Sequence, residues 1–174
     1  MSPAHGYIWA AVTRMFGAPV TGYDRMSDGT TEMRWRLFDR LTVVSSHGEN
    51  LARSAAGRLA NEFVIAPTSF RGATWRSGAG CDTAISTWTV DGRTHDVELQ
   101  VAPDGRLESA VIQRWGNPDR KGFRLHPFGV SVDQEATFDG VTIPARLRAA
   151  WWWGTEREDE GEFFRAEITR AQFV

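Results

Sequence analysis

The chain has 174 residues, of which 41% are hydrophobic and 24% are charged, and its formal net charge is −2. This composition is that of an ordinary globular protein and argues against global disorder. The negative charge argues against a general nucleic-acid or anionic-membrane surface, because such surfaces need a strong cationic excess. With one cysteine, Cys81, no intrachain disulfide can form. We therefore expect one domain over residues 1–174.

The sequence carries no recognisable targeting or membrane segment. Residues 1–6 lack a basic stretch followed by an apolar one, and no run approaches the roughly 18 apolar residues that a spanning helix needs. We expect no membrane span and a cytoplasmic location. An envelope protein that has lost its N-terminal part is the open alternative.

Turn signals separate short runs that are rich in Val, Ile, Thr, Trp and Phe. Asp-Gly pairs occur at Asp28-Gly29, Asp91-Gly92, Asp104-Gly105 and Asp139-Gly140, and an Asp-Gly between two such runs is typical of a β-hairpin. The predicted strands cover residues 7–15, 20–25, 30–38, 41–44, 85–90, 95–101, 106–115, 130–138, 141–153 and 162–173. This pattern predicts a mostly antiparallel β protein.

One segment interrupts the β pattern. Residues 49–65 are mostly helix formers without proline, Ser46 and Glu49 resemble a capping box, and Pro67 follows the last helical residue. The apolar residues of this segment fall on one face of the helix, which must pack against a sheet. The sequence therefore predicts an α+β fold, mostly β, in which a curved antiparallel sheet (a half-barrel) wraps one main helix at about 49–65.

Glu62 is the most informative residue of this helix. On a helical wheel it falls between Leu51 and Ala55, inside the apolar sector, and Arg58 one turn earlier can pair with it. One interpretation is a carboxylate in the concave cavity that acts as a ligand anchor or as a base. The other is a boundary carboxylate that Arg58 or an arginine of the sheet neutralises.

The eight tryptophans are many for a chain of this length. Trp75, Trp88 and Trp152 lie on predicted strands. In a strand, Trp152 should face away from its neighbours Trp151 and Trp153. At least one of these three residues must therefore face outward or line a second surface. These residues predict an aromatic-lined pocket. Aromatic filling of the core and a partner or homodimer contact are the alternatives.

Histidine and cysteine positions match no common metal or catalytic motif. No two of His5, His47, His95 and His126 have metal-ligand spacing, and Cys81 is distant from all four. The sequence also lacks a nucleophile elbow, a Walker loop and a dinucleotide-binding fingerprint. We expect no metal, no cofactor and no assigned catalytic residue. Scattered Arg-Trp neighbours in a negatively charged chain do not predict a nucleic-acid partner.

Several short motifs occur in the same order as in an uncharacterised bacterial family, a domain of unknown function. They are Gly57-Arg58-Leu59-Ala60-Asn61-Glu62, Pro67-Thr68, Trp75, Asp104-Gly105-Arg106, Arg114, Phe138-Asp139-Gly140-Val141-Thr142-Ile143-Pro144, Trp152 and Phe164-Arg165-Ala166-Glu167-Ile168. The chain resembles that family from about Tyr7 to its end.

The family looks similar in fold to the bacterial lipoprotein-localisation carriers. Those carriers are open antiparallel half-barrels whose concave face holds acyl chains against a helix. The resemblance implies the same fold here, and it implies a hydrophobic-ligand function by analogy only, since fold does not determine function.

Our leading hypothesis is a binding module for an apolar or amphipathic, lipid-like small ligand in the concave face. Glu62, Arg58 and Arg114 would be polar anchors, and Trp75, Trp88 and Trp152 would form the wall. A hydrolase or isomerase that uses Glu62 as general base is one alternative. A protein-interaction module with an exposed Trp edge is the other.

Overall fold

A computed structural model describes residues 6–27 and 29–173 of the protein. The structure is mostly β, with two antiparallel sheets and one main helix, which confirms the predicted fold class. Asp28, in the first predicted Asp-Gly turn, lies outside the described residues. Both residues of the Asp91-Gly92 turn and both residues of the Asp139-Gly140 turn have positive φ. Each turn connects two paired antiparallel strands, as predicted.

The strands follow one another along the chain with short connections. They are β1 (Gly6–Met15), β2 (Ala18–Ser27), β3 (Thr30–Leu37), β4 (Leu41–His47), β5 (Thr74–Ser77), β6 (Thr83–Val90), β7 (Arg93–Val101), β8 (Leu107–Gly116), β9 (Arg124–Phe138), β10 (Val141–Trp151) and β11 (Glu162–Glu167). One sheet has the order β1-β2-β3-β4, and the other has the order β11-β10-β9-β8-β7-β6-β5. All neighbouring strands are antiparallel.

The main helix, α1, covers Glu49–Glu62 and continues as a short 3-10 helix, Phe63–Ile65, which together confirm the predicted range. The predicted capping box is wrong. The helix begins after Gly48, whose φ is 100°, and no side chain caps its first turn. Glycine at this position lets the chain turn sharply from β4 into α1, because it tolerates positive φ without a steric penalty.

The core lies between α1 and the concave sides of the sheets. Ala55, Leu59 and Phe63 of the helical segment are buried in one cluster with inward residues of β6 to β10. The rings of Trp9 on β1 and Phe164 on β11 lie 6.1 Å apart, so the two sheets approach each other at these strands. The predicted packing of the helix against the sheet is thus observed.

Several predicted strand limits differ from the structure: the strand predicted over 130–138 begins at Arg124, the one predicted over 41–44 extends to His47, and the last two predicted strands are too long. The strand predicted over 141–153 ends at Trp151, because Trp152 has a φ of 55° and begins a turn closed by Thr155, whose N–H donates to the Trp152 carbonyl at 3.1 Å. The strand predicted over 162–173 ends at Glu167. The acidic segment between these strands contains one helical turn, α2 (Glu158–Gly161). No helix in the described part of the chain is long and apolar enough to cross a membrane.

Candidate functional site

The concave face of the four-stranded sheet carries an inward carboxylate among aromatic rings. Trp9 on β1 lies directly opposite Asp24 on β2, and both alternate onto the face that meets α1. The indole N–H of Trp35 on β3 donates to Oδ1 of Asp24 at 3.3 Å. Its ring lies against Gly22, where a Cβ would stand 2.4 Å from the ring, so only glycine fits beneath it. Asp24 is therefore held in a fixed orientation toward the helix.

Helix α1 supplies Arg58 and Glu62 to the same place. Nη1 of Arg58 lies 3.1 Å from Oδ2 of Asp24, and Nε of Arg58 lies 2.6 Å from Oε1 of Glu62. The guanidinium also lies over the rings of Tyr7 and Trp9, at 5.2 and 5.3 Å from their centroids. Arg58 thus links the helix to the four-stranded sheet through two charge-assisted hydrogen bonds and two cation–π contacts.

The seven-stranded sheet supplies Arg114 from β8. Its Nε donates to the backbone carbonyl of Ser54 on α1 at 3.2 Å, and its Nη2 lies 3.3 Å from the Ser54 hydroxyl. The guanidinium lies over the rings of Phe128 and Trp151, at 4.6 and 4.9 Å from their centroids. Arg114 is deep in the molecule, although its surface retains some exposure to solvent.

Tyr7, Asp24, Arg58, Glu62 and Arg114 form what we call the polar cluster. Burial, and next to it the charge of Arg58, lowers the pKa of Arg114 to about 10, so its guanidinium stays protonated at neutral pH. Burial raises the pKa of the Tyr7 phenol against the opposing effect of Arg58. Burial alone would lower the pKa of Arg58, but the Glu62 carboxylate raises it above its usual value. Two cations, two anions and a neutral phenol therefore share one poorly solvated site.

The polar cluster stays accessible along one edge of α1. The side chains of Arg58 and Glu62 are 17% and 25% exposed, and Leu51 and Ser54 on the same edge are also only partly buried. Neighbouring residues of the helix that pack into the core, Ala55, Ala56, Leu59 and Ala60, are buried. A small molecule would therefore approach the cluster beside this edge.

The structure brings three of the six predicted site residues together and separates the other three. Arg58, Glu62 and Arg114 belong to the polar cluster. Trp88 is a core residue that packs on Phe63 with ring centroids 4.1 Å apart. Trp75 lies half-exposed on β5, at the edge of its sheet. Trp152 lies in the turn after β10, with its ring centroid 3.8 Å from Cζ of Arg157.

The aromatic residues that contact the polar cluster are different tryptophans and a phenylalanine. Trp9 and Trp35 approach it from the four-stranded sheet, and Phe128 and Trp151 approach it from the seven-stranded sheet. For the first pair, sequence alternation gave part of the signal, because a strand that buries Val20 also directs Asp24 inward. Placing Trp9 and Trp35 next to Asp24 also required the register of their strands with β2. For the second pair, only the register between distant strands decides which rings meet the arginine.

Glu62 already has a strong partner. Its Oε1 accepts the hydrogen bond from Arg58, so the charge that a general base would use is engaged in an ion pair. This arrangement agrees with the neutralised carboxylate foreseen from the sequence, and it favours an anchoring role for Glu62 over a catalytic one.

Metal chemistry gains no support from the described residues. No group of three or more His, Cys, Asp or Glu side chains within residues 6–27 and 29–173 could hold a metal ion. Of the four histidines in the sequence, His5 lies outside the described residues. Cys81 is exposed, and its thiol is free.

An open depression of about 180 Å³ lies elsewhere, on the outer face of the four-stranded sheet. It is lined mainly by outward residues of β1 to β3, including Tyr23, Arg34 and Arg36. None of the predicted site residues reaches it. The chemistry on the concave face and this outer depression are therefore separate features.

Comparison with known protein families places the chain in one of them. Residues 1–165 match the model of a family of unknown function (DUF6544), and the chain belongs to that family. The suspected membership of an uncharacterised family is thereby confirmed. No curated protein and no solved structure matches the chain. The similarity to lipoprotein-localisation carriers stays a prediction.

Proposed function

We propose that the protein is a binding module for an amphipathic small ligand, held on the concave face between α1 and the two sheets. The observation that carries this proposal is the polar cluster itself, which combines two arginines and two carboxylates with aromatic rings in a poorly solvated place. Small-molecule sites typically have mostly apolar linings and a few convergent polar groups. In this arrangement Arg58, Glu62 and Arg114 contact the polar end of the ligand, and Trp9, Trp35 and Trp151 contact its apolar part.

The partly exposed edge of α1 supports an entry route. Side chains of α1 fill much of the concave face, so a ligand of this kind would have to displace some of them or slide beside them. The edge with Ser54, Arg58 and Glu62 is the least buried part of the helix next to the polar cluster. The ligand would therefore enter between this edge and strand β1, where Tyr7 and Trp9 line the opposite side.

Native mass spectrometry of the full chain, purified without detergent, tests the proposal. We expect a reproducible adduct of lipid-like mass that disappears on denaturation and can be extracted into organic solvent. The Trp9→Ala variant should lose most of the adduct, because Trp9 lies against Arg58. The Trp75→Ala variant serves as the matched control, since Trp75 lies half-exposed at a sheet edge, and it should keep the adduct.

The proposal is wrong if the wild-type chain shows a clean unliganded mass and also fails to bind an added amphipathic probe such as a fluorescent fatty acid. Equal loss of the adduct in both Trp variants would also contradict it, because the adduct would then not depend on the concave face.

A further inference from the structure

Arg114 forms no ion pair with a carboxylate of the described residues. Its described hydrogen bonds go to the carbonyl and hydroxyl oxygens of Ser54, both of which are neutral. Both carboxylates of the polar cluster, Asp24 and Glu62, form ion pairs with Arg58. Within residues 6–27 and 29–173, no carboxylate forms an ion pair with Arg114. A cation in a poorly solvated place is costly unless an anion compensates it. Asp24 and Glu62 act on the charge of Arg114 from nearby, but neither forms an ion pair with it, and N–H groups of its guanidinium remain without a partner among the described residues.

Polar groups with unused hydrogen-bonding capacity lie beside this arginine. A Cβ at Gly57 would lie 3.4 Å from Cγ of Arg114 and 3.8 Å from Cε1 of His95, so both side chains meet under the same turn of α1. Nε2 of His95 is buried without a hydrogen-bond partner among the described residues. An imidazole nitrogen that is buried and unpaired is uncommon in native proteins and requires an explanation.

Asn61 is a second polar residue with unused hydrogen-bonding capacity. It lies one helical turn after Gly57 on the same face of α1, and its side chain is 0% exposed. Neither Oδ1 nor Nδ2 of Asn61 has a hydrogen-bond partner in the described part of the chain. A fully buried amide without partners costs free energy of folding, so a residue of this type at this position suggests a role other than packing.

We propose that Arg114 binds an oxygen acid, either a carboxylate or a phosphate monoester, at the head of the amphipathic ligand, with His95 near Gly57 and Asn61 one helical turn further along α1 as additional polar contacts. This inference rests on the proposed function and narrows it to acid-headed ligands. The planar guanidinium can donate two parallel hydrogen bonds to such a head, and the imidazole and amide N–H groups can donate to its remaining lone pairs. A neutral alcohol head can accept a hydrogen bond from the guanidinium, but it cannot form the two-oxygen, charge-assisted pairing of an acid head.

Isothermal titration of the full chain with three chain-matched probes tests the inference: dodecanoate and dodecyl phosphate, each below its micellar concentration, and dodecanol, below its solubility limit. At least one acid should bind about tenfold or more tightly than the alcohol, as expected for one charge-assisted contact. The acid that binds more tightly identifies the head group. In the Arg114→Gln variant this preference should disappear, because both acids should lose far more affinity than dodecanol does.

The control variant is Arg76→Gln, which removes an exposed arginine on β5 that pairs with Asp96 and should leave the preference intact. Because Arg114 also bonds to α1, its variant could fail to fold, and circular dichroism will show whether it does. Asn61→Leu provides an independent test, since it removes the unpaired amide without removing a hydrogen bond. This variant should reduce the affinity for the preferred acid more than it reduces the affinity for dodecanol.

Three outcomes would contradict the inference in different ways. If dodecanol binds as tightly as both acids, the acid head is wrong and the binding function stands. If the preference for acids survives in folded Arg114→Gln, or is not reduced in Asn61→Leu when the arginine variant does not fold, the acid is recognised elsewhere. If none of the three probes binds to the wild-type chain, the binding function itself is wrong for ligands of this class.

Discussion

Gly57 on helix α1 and Arg114 on strand β8 lie so close together that a Cβ at position 57 would stand 3.4 Å from Cγ of Arg114. This distance is an ordinary van der Waals contact, so alanine fits and larger side chains do not. Gly57 therefore sets how closely the helix approaches the arginine that we place at the centre of the site.

The Gly57→Ala variant should be more stable than the wild type. Alanine costs less backbone entropy in a helix interior, which predicts a free energy of unfolding higher by about 0.5–1 kcal/mol. Gly57→Val should lower it by about 1–3 kcal/mol, because the added methyl groups would overpack the contact with Arg114. Urea denaturation of both variants measures the difference. A valine variant as stable as the alanine variant would show that the helix can move away from β8.

Asn61→Leu should also stabilise the protein. Replacing a buried, unpaired amide by an apolar side chain of similar size removes its desolvation cost, and we expect a gain of about 1–2 kcal/mol in the free energy of unfolding. Asn50→Leu is the control, because Oδ1 of Asn50 accepts a hydrogen bond from the Trp115 indole at 3.0 Å and its loss should bring no gain. A destabilised Asn61→Leu variant would show that the amide is satisfied in solution.

Local patterns were sufficient to predict most elements of this fold, although not the helical turn α2. The alternation in β7 and the Asp91-Gly92 turn before it depend on residues close in sequence, as does the helical spacing that pairs Arg58 with Glu62. Each of these signals arises from the geometry of a single strand, turn or helix, so one sequence contains all the information they need.

The assembly of the site depended on contacts that no local pattern encodes. Asp24 meets Arg58 across 34 positions of sequence, and Arg114 meets Ser54 across 60. Which of the eight tryptophans face the arginines follows from sheet register and from the end of β10 at Trp151, which takes Trp152 out of the strand. Composition indicated that aromatic rings are plentiful, but it could not select which of them contact the arginines.

Stability should decrease as the pH falls from neutral into the acidic range. Burial, with the nearby charges of Arg93 and Arg53, lowers the pKa of His95 below its usual value of 6.5. Burial, with the charge of Arg124, does the same to the pKa of His126. Below about pH 6.5 the unfolded chain therefore binds protons that the folded protein does not yet accept, which favours unfolding until the folded pKa values are reached.

The contribution of His95 can be isolated by substitution. The His95→Gln variant should lose a smaller part of its free energy of unfolding between about pH 7.5 and about pH 5.5 than the wild type does. His47→Gln is the control, because His47 is an exposed residue of β4, and it should keep the wild-type dependence on pH. If His95→Gln lost as much stability on acidification as the wild type, His95 would be protonated equally in the folded and unfolded states.

Two hairpin turns of the four-stranded sheet contain phenylalanine in a left-handed conformation. Phe16, between β1 and β2, has a φ of 51° and is fully exposed, and Phe38, at the start of the turn between β3 and β4, has the same φ and is 60% exposed. A two-residue hairpin turn favours Asn or Gly where φ is positive, because a bulky side chain is strained there. Neither ring is buried, so no gain in packing energy offsets that strain.

Phe16→Asn should therefore stabilise the protein by about 0.5–1 kcal/mol, since asparagine adopts the left-handed conformation more readily than phenylalanine. Val12→Asn is a suitable control, because Val12 is equally apolar and exposed but lies within β1, where asparagine is unfavourable. In thermal or urea denaturation, Phe16→Asn should be more stable than the wild type and Val12→Asn should be less stable. A less stable Phe16→Asn variant would mean that the Phe16 ring makes favourable contacts in solution that outweigh the strain of its backbone.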